Sequence, residues 1–170
     1  MRHPPLLPLL VLGLGLGLAG CGRPESVSRT PATTTAPEGE AARSGPAALQ
    51  PLIRSAAAEH GIPEALLHRV IRRESDYRPE ARNGPYRGLM QIHPDTARSM
   101  GFRGAPQELL DPAVNLRYAG RYLRGAWIVA DGDPDAAVMW YARGYYYAAR
   151  DRCLLVATGL AAREVNRRCR

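Results

Sequence analysis

The sequence predicts a mainly α domain, and three observations carry that reading. After residue 46 the apolar residues recur at three- and four-residue spacing, with no long alternating run to compete. Two segments open on an Asp-Pro pair, Asp111-Pro112 and Asp133-Pro134, in which the aspartate suits an N-cap and the proline the first helical turn. Gly61 and Gly101 stand where helices would stop.

Taken in order, residues 47–60 place Leu49, Ile53, Ala56, Ala57 and His60 on one face, and Gly61 ends that helix. Pro63 then fits the first position of a second helix, whose Leu66, Leu67, Val70 and Ile71 form its apolar side. The loop between Tyr77 and Gly88 leaves room for a small hairpin, and a short helix follows near Pro94 to Met100. The two Asp-Pro helices carry Tyr118, Tyr122, Leu123 and Trp127 in the first, and Ala137, Val138 and Tyr141 in the second. A last helical region is expected over roughly Tyr146 to Arg168, with Leu154, Leu155, Val156 and Leu160 as its apolar residues.

Glu74 is the residue in this pattern that bears on chemistry. A step of about 100° per residue returns it to the Leu67, Val70, Ile71 face, so its carboxyl points inward at the C-terminal end of its helix. Loss of water and the negative end of the helix dipole both favour the protonated form, as a general acid requires. The rival reading is a solvated ion pair with Arg69, Arg72, Arg73 or Arg78, and helix position alone does not choose between them.

The surrounding residues do. Glu74-Ser75, Tyr77, Pro79 and Ala81 are followed by Gly88-Leu89-Met90-Gln91-Ile92, Pro94 and Thr96-Ala97. Downstream come Asp111-Pro112, Asn115-Leu116, Gly120, Tyr122-Leu123, and Tyr141 with Gly144. This ordered set resembles the catalytic core of the soluble lytic transglycosylases, lysozyme-like enzymes that cut bacterial peptidoglycan, over about residues 46 to 150.

The resemblance implies a lysozyme-like helical domain and a mechanism that needs one carboxyl. Glu74 would protonate the oxygen bridging MurNAc and GlcNAc, the MurNAc acetamido oxygen would stabilise the cationic centre, and Glu74 would then take the proton of the MurNAc 6-hydroxyl. That hydroxyl closes on C1, giving a 1,6-anhydro sugar without water. By the same resemblance Ser75 would hold the helix end and orient Glu74, Met90 and Gln91 would line the cleft against the N-acetyl sugar, and Tyr141 would lie close to Glu74. Asn83 is the nearest match to a substrate-binding serine of the family, in a loop one residue short at Gly84-Pro85-Tyr86-Arg87, and Ala142 stands where the family motif has asparagine. The other carboxylates read otherwise: Asp76 points away, Asp95 lies in a first turn, and Asp111 and Asp133 are caps. A non-catalytic wall-binding protein would keep the cleft and discard its acid, and a hydrolase on this scaffold would need a second carboxylate.

The remainder of the chain says where such an enzyme would work. Met1 to Gly20 has one arginine and an apolar run from Leu6 to Ala19, too short to span a bilayer, and reads as a signal peptide. It ends in Leu18-Ala19-Gly20-Cys21, which resembles the bacterial lipoprotein box, so residues 1–20 would be removed and Cys21 lipidated. The alternative is an ordinary secretory signal with a fortuitous cysteine. Gly22 after Cys21 resembles lipoproteins sorted from the periplasmic face to the outer membrane. Residues 21–46 are rich in Pro, Thr, Ser and Ala, with Val27 the single large aliphatic residue, and read as a tether reaching roughly 75 Å at ~3.1 Å per residue. Residues 47–170 then form the domain, long enough for one core.

The net charge is +7, and all 23 basic residues are arginine. In an exported chain this favours the acidic wall and a lipid-anchored membrane contact over nucleic acid, for which no arginine stripe has a suitable spacing. With Cys21 lipidated, Cys153 and Cys169 remain as an even pair in an oxidising compartment. They are expected to form a disulfide, the alternative being two free thiols. His60, His68 and His93 share no ligand spacing with the cysteines, so no metal or other cofactor is expected.

Overall fold

The computed structural model describes residues 46–169. The expected signal peptide, the lipidation site Cys21 and the tether lie outside the described residues, apart from Pro46, which opens the first helix. The architecture is mainly α with one two-stranded hairpin, in keeping with a lysozyme-like fold.

Helix α1 (Pro46–His60) buries Leu49, Ile53, Ala56, Ala57 and His60. Gly61, at φ +59°, reverses the chain, with Gly61 N–H donating to Ala58 O and Ile62 N–H to Ala57 O; both orphan carbonyls are thereby satisfied. Pro63 has an extended ψ of 131° and precedes α2 (Glu64–Ser75) instead of forming its first residue. Its carbonyl accepts from Leu66 and Leu67, so it still nucleates the helix. Strands β1 (Arg82–Asn83) and β2 (Tyr86–Arg87) pair antiparallel, Arg82 with Arg87 and Asn83 with Tyr86, around a Gly84-Pro85 turn.

Helix α3 (Pro94–Ser99) is capped by the His93 side chain, and a 3₁₀ turn spans Pro106–Leu110. The two Asp-Pro signals open α4 (Pro112–Val129) and α5 (Pro134–Arg143): Asp111 accepts from Val114 N–H at 2.9 Å and Asp133 from Ala136 N–H at 2.7 Å. Helix α4 is the axis of the domain. It packs on α1, α3, α5 and the 3₁₀ turn, and Leu116, Ala119, Leu123 and Ala126 on it are fully buried. Gly120 lets α1 approach: a Cβ there would stand 2.4 Å from His60 Cδ2. His60 Nε2–H donates to Leu116 O at 3.1 Å, and burial lowers the pKa of this imidazole.

The long C-terminal helix expected to Arg168 does not form. Helix α6 covers Tyr146–Asp151, and turns lead to a 3₁₀ segment at Arg167–Cys169. Cys153 has φ +58° and Gly159 φ +73°, both incompatible with a continuing helix. Leu155 is buried, Leu154 and Leu160 pack partly against the core and Val156 is exposed, so the apolar cluster anchors a run of turns and not a helical stripe. Arg152 ties this segment to the end of α4 through Val129 O and the Asp131 carboxylate. Cys153 and Cys169 are joined as a disulfide with Cα atoms 5.4 Å apart. Among the described residues no helix is long and apolar enough to cross a membrane.

The 16-residue separation of the cysteines corresponds to roughly 3 kcal/mol of loop closure. Thiol titration of the unfolded, unreduced protein should therefore leave Cys153 and Cys169 unreactive and find both after reduction. Reaction of both before reduction would refute the bridge.

Candidate active site

Helix α2 delivers Glu74 in its last turn, beside residues that are fully buried. Its side chain is 23% exposed, with Arg73 Nε 3.5 Å from Oε1. Burial raises the carboxyl pKa, and the adjacent guanidinium opposes that rise without cancelling it. The ion pair posed as the rival reading is thus present with Arg73, yet the net effect still favours the proton.

The loop from Gly88 to Gln91 is held from four directions. Ser75 Oγ–H, at the end of α2, donates to Leu89 O at 2.7 Å. The Tyr141 hydroxyl, on α5, donates to Met90 O at 2.8 Å. Asn115, on α4, accepts from Met90 N–H at 2.9 Å while its amide donates to Arg87 O at 2.9 Å and Leu109 O at 2.7 Å. Gly88 N–H donates to Ala81 O, which closes the loop on the hairpin. Gly88 has φ +74°, and a Cβ there would lie 2.3 Å from both Asn115 Nδ2 and Leu109 O, so only glycine fits.

This geometry alters several expected roles. Ser75 is buried and spends its hydroxyl on the loop, so it joins the two halves of the site and does not face a ligand. The Met90 side chain is wholly in the core, and only its backbone takes part in the loop network. Gln91 does line the cleft, but its amide donates to Ala81 O at 3.0 Å and Gly88 O at 2.9 Å, which leaves its carbonyl as the free group. Tyr141 also lines the cleft with its proton committed to Met90 O; burial, then the charge of Glu74, push its pKa up and keep that proton in place. Exposed Asn83 lies on the same cleft, at the hairpin.

Glu74, Asn83, Gln91 and Tyr141 therefore meet around one cavity of about 230 Å³, with Arg73, Tyr86 and Ala142 completing its wall. Sequence reasoning missed the structural part of Asn115 and the wall positions Arg73 and Tyr86. Asn115 carried a signal, a polar residue four positions before Ala119 on the buried face of α4. Among the described residues no cluster of His, Cys, Asp and Glu could hold a metal.

Residues 51–151 match the family model described as Transglycosylase SLT domain. The chain belongs to this family. Two relatives, each named membrane-bound lytic murein transglycosylase C, come from Histophilus somni strains 2336 and 129Pt. Each is 38% identical over 81 residues, covering 43% of this chain and 22% of the relative, so the chain spans about a fifth of their length. No solved structure gives a significant match.

Two outcomes follow from the geometry of this SLT domain. A carboxyl whose folded pKa is raised contributes stability that is full below its unfolded pKa and is lost as pH rises through the folded value. Glu74→Gln should accordingly unfold at higher denaturant than the parent at pH 7, with the gap closing as pH falls to about 4.5; an equal gap at about pH 7 and at about pH 4 would contradict the burial argument. Gly88→Ala should lower stability by about 3 kcal/mol, from overpacking and a left-handed alanine, as read by urea unfolding.

Proposed function

We propose that this protein is a peptidoglycan lytic transglycosylase that cleaves the MurNAc-GlcNAc β-1,4 bond and leaves 1,6-anhydroMurNAc. The observation that carries the reading is a single half-buried carboxyl, Glu74, with a raised pKa in a cleft whose other described lining residues include no second carboxylate. Hydrolytic glycosidases set two carboxyls across the scissile bond, roughly 5–9.5 Å apart. A reaction in which the substrate's own 6-hydroxyl attacks C1 needs one group that donates a proton and then accepts one.

Glu74 fits both halves of that cycle. Desolvation favours its protonated form for transfer to the leaving oxygen, and Arg73 at 3.5 Å stabilises the carboxylate produced by that transfer. The resulting carboxylate then takes the 6-hydroxyl proton as the oxygen bonds to C1, which returns the acid to its starting form. The free Gln91 carbonyl and the Asn83 amide supply an acceptor and a donor for N-acetyl groups on either side of the cut.

The location is part of the same proposal. Lipidation at Cys21 after removal of residues 1–20 would anchor the chain in the periplasm, with Gly22 favouring the outer membrane and residues 21–45 giving reach to the wall. The relatives' printed name, membrane-bound, supports an anchored enzyme.

The test is digestion of purified peptidoglycan by the full-length protein in detergent, beside Glu74→Gln, with products read by mass. Muropeptides lighter by one water than ordinary reducing ends are expected, released about a thousandfold more slowly by the variant. Reducing-end products would make the enzyme a hydrolase, and an intact wall that still binds protein would make it a non-catalytic binder.

A further inference from the structure

Three consecutive tyrosines follow Gly144, and the fold treats them differently. Tyr145 is 1% exposed, stacks on Tyr122 at 4.7 Å and donates its hydroxyl proton to Tyr122 O at 2.8 Å. Gly125 makes this possible, since a Cβ there would lie 2.1 Å from the Tyr145 hydroxyl. Tyr146 and Tyr147 point the other way, 45% and 69% exposed. Their rings meet edge to face at 5.4 Å, and Arg150 lies over Tyr147 at 5.0 Å from the ring centre, which fixes the orientation of an otherwise free aromatic. Core packing explains Tyr145 and leaves the other two unexplained.

They border a depression of about 500 Å³ formed with Trp140, Arg143, Gly144 and Ala148. This depression is not isolated from the cleft. Arg143 and Gly144 are shared with a second cavity, which in turn shares Tyr86, Gln91, Tyr141 and Ala142 with the cavity that holds Glu74. The shared lining marks out a path from Glu74 past Ala142 to the aromatic pair. Ala142 lines both inner cavities. Arg143 stands at the outer junction, with Met139 Sδ at 3.7 Å and no carboxylate partner among the described residues, so its donors are available.

We propose that Trp140, Tyr146 and Tyr147 form a remote sugar subsite, which takes a pyranose ring of the glycan strand beyond those bound beside Glu74. This rests on the transglycosylase reading above. The chemistry is that of carbohydrate stacking: one face of a pyranose presents C–H groups carrying partial positive charge, and an aromatic ring presents a negative face to them. The free Arg143 guanidinium supplies donors for hydroxyl or acetamido oxygens. A strand lying along the path would cover the two exposed rings and gain affinity from residues that never touch the scissile bond.

The experiment uses full-length Glu74→Gln protein in detergent, so that strands stay intact, and peptide-free glycans of two and of four or more disaccharide repeats. Calorimetric titration should show Tyr146→Ala/Tyr147→Ala weakening the Kd for long strands about tenfold while leaving short strands unchanged. The paired Phe substitutions should retain long-strand affinity, and an unchanged melting temperature in the alanine pair would exclude misfolding. Unchanged long-strand binding in the alanine pair, or equal losses for both lengths, would overturn the subsite and leave the enzymatic reading standing. Failure of the parent to bind glycan of either length would overturn both.

Discussion

The side-chain amide of Asn115 is the constraint on which the site depends. It sits in the interior of the domain with its oxygen and both its hydrogens engaged, joining Met90 of the GLMQ loop, the strand before it and the 3₁₀ turn to the central helix. A buried amide satisfied in this way fixes position, whereas removal of one partner leaves a desolvated group at a cost of about 1–3 kcal/mol. Ser75 and Tyr141 then attach α2 and α5 to the same loop through consecutive carbonyls, Leu89 and Met90. Glu74 and the groups around it come from α2, the hairpin, the GLMQ loop and the more distant α5, and that short loop ties them together.

Electrostatically the site is a compromise between two pressures. Withdrawal from water favours a neutral Glu74, and the neighbouring guanidinium favours its anion. A group that alternates between donor and acceptor needs neither form to be overwhelmingly stable. Tyr141 would stay out of the proposed exchange, because its proton is bound to a backbone carbonyl and its own ionisation is suppressed by burial.

What the sequence disclosed was mostly local. Asp111 and Asp133 sit beside the groups they cap, and Gly61 beside the carbonyls it helps satisfy, so a short window contains the whole interaction. The inward placement of Glu74 was legible because helical spacing returned it to the apolar face. The C-terminal segment was misread because its leucines and valine look like a helical face, and nothing local announces a left-handed Cys153. Non-local hydrogen bonds were equally hidden: the commitment of Gln91's amide to Ala81 and Gly88, the burial of Met90, and the work of Asn115 depend on how the chain folds back. The split fate of Tyr145, Tyr146 and Tyr147 had the same cause, since composition cannot say which of three identical neighbours faces the core.

Helix ends ordinarily fray, opening and closing their last turn on fast timescales, and an acid placed there would sample many positions. Here the chain leaves α2 through Asp76 and Tyr77, both non-glycine residues at positive φ, 49° and 62°. That sharp reversal folds the Tyr77 ring back onto its own helix, where it is buried and its hydroxyl hydrogen-bonds with His68 Nδ1 at 2.9 Å. The Asp76 N–H closes on Arg72 O, and Arg78 Nε–H donates to Ser75 O. Unwinding the turn that carries Glu74 would break all of these at once. The domain thus pins the part of a helix that ordinarily frays, at the position of the proposed acid.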